Sequence, residues 1–444
     1  MYSPPKLQGV SAPPPAEAAP TKGLERTVYF GVCGMGLGHA ARMVPVAKAL
    51  QRHGYRSVFS TYNSACQFVR RSGFAVHEGT PLMWAEHPDG SVDVEGTLRT
   101  GPKLLRSIRD QVRQERAWVQ QELPDAIVSD SRYTTWMAMF GQPMPDFFVT
   151  NQVQFLMPQM GNDRLQAAFE RAINRANRLV LRRVRAVVVP DLPLPLAISR
   201  DNMPSNESAR LLRFVGPICP VRPSEVPPPA QVRAQLGIDG PMVFCALSGP
   251  GASRGAIAER LGSALRDAPF DVRMTTGSPM SDPEVRSGAV AASGWSDQRY
   301  HLLTAADVVI SRPGLTTISE VLRYGKPAVL IPTPNQTEQE HNAATMEALG
   351  LGLCVPQEEV EERTIVRAVE RLLDDKEVHR TVAAFAALAQ RYDGAEGLCE
   401  LIRGYVEGRA PVLPAPPTAE LEKLGMERLL SQRLSPAVAQ GSGG

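Results

Sequence analysis

Hydrophobic and polar positions fall into a repeating unit along most of the chain: a short continuous apolar run, a turn, then a longer stretch with apolar residues at helical spacing. The apolar runs at 27–32, 56–60, 126–129, 147–149 and 186–189, and again at 242–247, 272–275, 308–310, 328–331 and 352–355, predict ten strands in two groups of five. Strands that are apolar on both faces and separated by helices belong in parallel sheets covered on both sides. The pattern predicts an α/β fold of two halves with a cleft between them. Ligands of such sheets lie beyond the carboxyl ends of the strands.

Proline marks the boundaries. It supplies 39 of 444 residues, above the usual ~5%, and it is concentrated in three places. Residues 1–25 form a Pro/Ala-rich tail with too little apolar surface to pack, expected to be disordered. The cluster from Pro217 to Pro229 predicts an interdomain linker at 216–235, dividing a first domain at 26–215 from a second at 236–408. The third cluster begins at Pro411 and opens a Pro-rich, polar tail at 409–444, within which 418–434 is compatible with a short helix.

Charge and cysteine content narrow the classes. The 48 basic and 46 acidic residues leave a net charge of +2, so no global field attracts nucleic acid, and no basic patch carries interleaved aromatics. Six cysteines, at 33, 66, 219, 245, 354 and 399, are scattered without a C-x-x-C pair, which argues against a zinc site or a disulfide framework and fits a reducing cytoplasm. No apolar run approaches the roughly 18 residues of a membrane span, and the start lacks a signal-peptide pattern. The expectation is a soluble or peripheral protein.

Chemistry-bearing residues follow the strands. The first strand, T-V-Y-F-G-V, runs into Cys33-Gly34-Met35-Gly36-Leu37-Gly38-His39. Glycines there permit a sharp turn and close approach to a ligand, and the helix that follows offers free N–H groups and a positive dipole end. The spacing is not G-x-G-x-x-G, and the strand at 56–60 ends in Thr61-Tyr62-Asn63 without the acidic residue that a dinucleotide ribose requires. His39 opens the helix, where the dipole favours a neutral imidazole; it is a candidate general base, with capping or packing as the other reading. The strand at 126–129 leads to Asp130, which orients His39 if the two strands are neighbours and otherwise caps the next helix.

In the second half, V-F-C-A-L is followed by Ser248-Gly249-Pro250-Gly251, a small-residue loop suited to a diphosphate, or simply a strand-to-helix turn. A-D-V-V-I leads into Ser311-Arg312-Pro313-Gly314-Leu315-Thr316-Thr317, with Glu320 on the same helical face. A carboxylate there can take both hydroxyls of a ribose, or close a capping box with Thr316 or Thr317. The next strand ends at a helix entry bearing Glu338, Gln339 and Asn342, which suits sugar hydroxyls or plain solvation.

Together G-M-G-L-G-H-A-A-R and S-R-P-G-L-T-T-I-S-E-V-L-R-Y-G-K-P-A-V-L-I-P-T-P-N-Q-T-E-Q-E-H-N-A resemble the GT-B glycosyltransferases of family 28, especially archaeal and bacterial relatives of the peptidoglycan GlcNAc transferase, across about residues 26–405. The resemblance implies two Rossmann-like domains with parallel sheets facing a central cleft. It also implies that the second domain holds a nucleotide-diphosphate sugar, the first the acceptor, and that the anomeric carbon is inverted without an essential metal. By position, Glu320 would bind the donor ribose, Ser248, Gly249 and Gly251 the diphosphate, Arg222 the diphosphate from the linker, and Gln339 the sugar. Gly36, Gly38, Arg312, Gly314, Thr316, Thr317 and Asn342 complete the donor set. Glu338 stands where the peptidoglycan enzymes carry a second glutamine, which alters the sugar hydroxyls preferred. His39 and Asp130 would carry catalysis. No cofactor beyond the nucleotide-sugar co-substrate is expected, and no D-x-D-like pair stands beside the phosphate loops; Asp297 and Asp307 are the carboxylates weighed as metal ligands.

The acceptor side offers one further pattern. Over 164–185 a helix is expected with Phe169, Ile173, Ala176, Val180 and Val184 on one face and arginines around it; it either lies on an anionic membrane or packs in the core with a solvated basic face. The acceptor is accordingly lipid-linked, a glycan or a small molecule, and the location cytoplasmic, at the inner face of the membrane if the helix docks there. The function expected is metal-independent, inverting transfer from a UDP-sugar to a hydroxyl. A nucleotide-sugar hydrolase of the same fold and a non-catalytic nucleotide-sugar-binding subunit are the alternatives.

Overall fold

In the computed structural model, the described residues are 26–82, 85–86, 92–93, 101–142, 144–156, 163–204, 211–247, 251–277, 284–294 and 296–413. The tail at 1–25, the helix-compatible stretch at 418–434, and Ser248 and Gly249 lie outside them.

The first half builds strands β1 (Thr27–Val32), β2 (Arg56–Thr61), β3 (Ala75–Glu78), the hairpin pair β4 (Ala85–Glu86) and β5 (Val92–Asp93), then β6 (Ala126–Asp130), β7 (Asp146–Val149), β8 (Ala186–Val189) and β9 (Leu212–Phe214). Seven of them form one sheet in the order β3-β2-β1-β6-β7-β8-β9, parallel throughout. The helices are α1 (Gly38–Arg52), α2 (Ser64–Arg71), α3 (Gly101–Glu122), α4 (Tyr133–Met139) and α5 (Asp163–Leu181). Alternation along β1 assigns the faces: Val28, Phe30 and Val32 pack with α1, while Tyr29 packs with Val58, Ile127 and Val119 of α3.

The second half repeats the plan with α6 (Pro229–Leu236), β10 (Met242–Ala246), α7 (Gly251–Ala264), β11 (Asp271–Thr275), β12 (Val285–Ser287), β13 (Val290–Ser293), α8 (Arg299–Ala305), β14 (Val308–Ser311), α9 (Leu315–Tyr324), β15 (Ala328–Leu330), α10 (Thr337–Ala348), β16 (Gly352–Cys354), α11 (Glu362–Asp374), α12 (Lys376–Arg391) and α13 (Gly394–Glu407). Its sheet runs β12-β13-β11-β10-β14-β15-β16, and only the edge pair β12–β13 is antiparallel. In both sheets the strand order reverses beside the first strand of the half, between β1 and β6 and between β10 and β14, which is where doubly wound folds bind ligands.

The boundaries drawn from proline are cut across by packing. Leu192, Leu196 and Ile198, from the first half in sequence, join the core of the second sheet. Leu398, Leu401 and Ile402 of α13, from the second half, pack against Val28, Phe147 and Val188 of the first. The chain thus crosses twice, and the crossings touch: the Gly394 N–H donates to the Pro217 carbonyl at 3.2 Å. Gly216, at φ +97, leaves no room for a Cβ, which would come within 2.5 Å of the Cβ of Tyr392. The Pro-rich segment is packed where it joins the halves, and its Val226 and Val232 are core residues of the second half.

Candidate functional site

The loop after β1 is shaped by two glycines. Gly36 sits at φ +77, and a Cβ on Gly34 would meet the Tyr62 carbonyl at 2.4 Å. The loop delivers the chain to α1, whose N-cap position, Leu37, supplies no side-chain bond, so His39 stands in a first turn with uncapped amides and does not itself cap it. β6 lies directly beside β1, with Val32 opposite Asp130. Asp130 is therefore brought to His39, and its Oδ1 lies 2.9 Å from His39 Nδ1. Asp130 caps no helix: α4 begins after Arg132 without a side-chain cap.

A third residue completes the cluster. Arg42 lies three residues beyond His39, on the same face of α1. It is buried and donates from Nε to Asp130 Oδ2 at 2.7 Å, and from Nη2 to Asp130 Oδ1. Burial alone would drive the Asp130 carboxyl upward; the Arg42 charge, then His39, reverse this and hold it at about 2. An ionised Asp130 is an acceptor only, so Nδ1 is the ring nitrogen that donates to it and Nε2 is the one left for a substrate. Arg42 Nη2, 3.1 Å from Nδ1, then faces a donor and is held there by the oxygen the two groups share. The imidazole is about a quarter exposed, enough for a substrate hydroxyl to reach it.

The cluster continues across the cleft. Arg42 Nη1 donates to Asn151 Oδ1 at 3.3 Å, and Asn151 Nδ2 donates to Glu338 Oε1 on α10 at 2.6 Å. Thr316, in the first turn of α9, donates to the Gly38 carbonyl at 3.3 Å, and Thr337 donates to the Leu156 carbonyl at 2.7 Å. The glycine loop and His39 thus face the helix starts of the second half. Arg42 and Asn151 were not singled out in the sequence, although each carried a signal: one at i+3 from His39, the other two residues past a strand end.

Several expected donor ligands also hold backbone. Arg312 is buried and donates to the carbonyls of Ile331 and Pro332 at 3.0 Å and to Gln357, so it braces the end of β15. Asn342 is wholly buried, with Nδ2 on the Pro313 carbonyl at 3.0 Å. Gln339 Oε1 accepts from the Thr333 amide at 2.9 Å, shaping the loop before α10. Arg222 clasps the crossing: it pairs with Asp393 at 2.7 Å and Glu396 at 3.2 Å.

Glu320 neither caps α9 nor lies open. It is 5% exposed; Oε2 takes Arg299 at 2.6 Å, and Oε1 takes the Tyr300 hydroxyl at 3.0 Å. Arg299 and Tyr300 come from α8, which sequence alone did not associate with this site. Gly251, Gly314 and Thr317 sit at helix starts as expected, with Thr317 buried.

The basic helix α5 turns inward a face rotated from the one its apolar spacing suggested. Val184 of that expected face is buried, together with Asn174, Asn177 and Leu181, whereas Ala176 is exposed. The asparagines are tolerated because Asn174 bonds both Phe155 backbone groups at 2.8 Å and Asn177 the Val153 carbonyl and Tyr133 hydroxyl at 2.8 Å. These hydrogen bonds, with the packing of Leu181 and Val184, leave Leu179 outside, 60% exposed. The side chain of Phe169 lies outside the description. Among the described residues, His53, Glu396 and Cys399 are grouped closely enough for a metal, but two arginines already claim Glu396.

Comparison with known proteins places this geometry. Residues 271–398 match the glycosyltransferase family 28 C-terminal domain. An uncharacterized glycosyltransferase of Methanosarcina mazei is 26% identical over 394 residues, covering 84% of this chain and 97% of that protein. The Anaplasma marginale UDP-N-acetylglucosamine--N-acetylmuramyl-(pentapeptide) pyrophosphoryl-undecaprenol N-acetylglucosamine transferase is 30% identical over 118 residues, 26% of this chain and 33% of its own. Among solved structures, the kitacinnamycin glycotransferase superposes with a TM-score of 0.63 at 18% identity, covering 88% of this chain and all of that one. MurG of Acinetobacter baumannii gives 0.52 at 16%, covering 85% and 99%.

Proposed function

We propose that this chain, whose residues 271–398 match the glycosyltransferase family 28 C-terminal domain and which shares the fold of solved glycosyltransferases, moves a sugar from a UDP-sugar to a hydroxyl acceptor with inversion, without a metal. The observation that carries this reading is the His39–Asp130 pair on the wall of the first half that faces the helix starts of the second. His39 Nε2 takes the proton of the acceptor hydroxyl as its oxygen bonds to the anomeric carbon. The bond from that carbon to the diphosphate breaks, and its electron pair leaves with the nucleoside diphosphate. Asp130 holds the resulting imidazolium. Amides at the starts of α1, α7 and α9 are suited to the negative charge that grows on the leaving group.

The donor nucleotide is proposed from the family 28 relationship, since the name of the Anaplasma relative specifies a UDP-sugar. A metal-free course is supported by Asp307, which is committed to Arg233 and the Met242 amide at 3.0 and 2.8 Å. Glu320, with Arg299 and Tyr300, is proposed to floor the ribose site rather than to stand open in it. The acceptor is proposed to be lipid-linked and met at the inner face of the membrane. In support, the arginine-rich outer side of α5 carries Leu179, and beside it Phe140, 56% exposed, lies under Arg183. No helix among the described residues is long and apolar enough to cross a membrane.

The test is mass spectrometry of the purified protein with UDP-, GDP- and dTDP-sugars, with and without extracted lipids and with EDTA. Transfer of one sugar mass to lipid from a UDP-sugar, undiminished by EDTA, is the expected result. Release of free sugar alone would turn the reading toward the hydrolase.

A further inference from the structure

The acceptor-side dyad is not isolated: a chain of hydrogen bonds runs from His39 through Asp130, Arg42 and Asn151 to Glu338 on the opposite half. We propose that Arg42 is a positioning residue that shares Asp130 with His39 and balances its charge, and that Asn151 and Glu338 hold Arg42 in place only when the two halves are together. The inference rests on the base role proposed for His39 but needs no knowledge of donor or acceptor.

The argument is one of charge and geometry. A lone buried aspartate beside a histidine favours the imidazolium, because nothing else balances the carboxylate. Here Arg42 covers both Asp130 oxygens, so the pair is already neutral before the imidazole takes a proton. Three of the arginine's nitrogens are used: Nε and Nη2 on Asp130, and Nη1 on Asn151. The planar guanidinium is thereby fixed at both edges. The second edge depends on Asn151, whose own amide is anchored by a carboxylate belonging to the other half.

The polar and titratable groups around the imidazole and Arg42 come from several elements. Asp130 comes from β6 and Arg42 from α1, and the Cys33 thiol, which burial pushes up and keeps protonated, from the β1 loop. Ser131 lies beyond β6, within 3.5 Å of Arg42. Glu338 on α10 acts on Arg42 electrostatically, and Thr316 comes from α9. Of these only Arg42 is a cation, so its removal changes the balance most.

The experiment follows the titration of His39 by NMR in the full chain labelled at its seven histidines, the signal assigned by its loss in His39→Gln. Arg42→Met is expected to raise the His39 midpoint by about one pH unit; Arg42→Lys, which keeps the charge, is expected to move it less. Asn151→Ala and Glu338→Ala are expected to raise it by a smaller amount, as the arginine loosens. The Glu338 result separates two mechanisms by sign. Simple removal of a nearby negative charge lowers the midpoint, whereas loss of the relay raises it.

A folded Arg42→Met variant with an unmoved midpoint overturns the proposal, and so does a fall or no change for Glu338→Ala. If Arg42→Met does not fold, the two milder variants decide alone. Because the readout is protonation and not turnover, a protein that proves not to transfer sugar leaves this inference standing or falling by itself.

Discussion

The two halves share a plan and spend their polar residues in opposite ways. In the first, His39, Asp130 and Arg42 form an ionic cluster in which side chains act on one another, and the ring is left partly exposed. In the second, Arg312, Gln339 and Asn342 each hold backbone, Arg312 also reaching the Gln357 side chain. The difference teaches that the first half gathers charge around one partly exposed ring, whereas these second-half residues hold loops and helix starts in a fixed shape. Substitutions should divide accordingly: in the first half they strike turnover, in the second they strike the fold and, through it, donor affinity.

The largest expected effect comes from His39→Ala. Removing a general base costs about 10²- to 10⁴-fold in turnover, and donor affinity measured by calorimetry should stay near wild type because the second half is untouched. A variant that keeps its rate but loses its donor would reverse the division between the halves.

Glu320→Ala is the counterpart on the other side. Its loss leaves Arg299 largely buried without its carboxylate, a change that typically costs about 3–5 kcal/mol. The melting temperature is expected to fall and donor binding to weaken with it, whereas turnover of bound donor changes less. Thermal unfolding and calorimetry read the two together; unchanged stability with lost binding would show Glu320 to be an open ligand after all.

Asp130 gives a prediction in pH. Its carboxyl is held at about 2, below the usual 3.8, so the folded state binds this proton less readily than the unfolded chain. The stabilisation is complete above the unfolded value and is lost as pH falls from about 5 toward the folded value. Asp130→Asn should be less stable than wild type at neutral pH, with a shallower loss of stability between pH 5 and 2, as measured by urea unfolding. Equal slopes for the two proteins would mean that the Arg42 pair contributes nothing to acid sensitivity.

These contrasts were partly legible in the sequence. Strand β1, the glycine loop and Asp130 at the end of the adjacent strand could be read because central parallel strands are continuous apolar runs and place their chemistry at the carboxyl end. Edge strands β3 and β12 could not: β3 is only half buried and β12 is exposed, so neither shows an apolar run. The return of α13 to the first sheet was hidden because an amphipathic helix does not state which core it joins. In the second-half motif, residue type was readable but use was not. An arginine suited to phosphate and an arginine pinned to carbonyls look alike until Ile331 and Pro332 are seen to lie against it.

The smallest expected effect tests the surface, where neither half's core is involved. Leu179, 60% exposed, makes little contribution to packing, so Leu179→Ser should change stability by less than about 0.5 kcal/mol and leave the His39 cluster intact. If the outer face of α5 meets a membrane, the same substitution removes an apolar contact amid arginines that each contribute roughly 1 kcal/mol near anionic lipid. Sedimentation with phosphatidylglycerol vesicles should therefore show binding by the wild type that weakens with salt, and further weakening in Leu179→Ser and Phe140→Ser. Failure of the wild type to bind would remove the membrane from the acceptor proposal, while the proton chemistry proposed for the first half would keep its own tests.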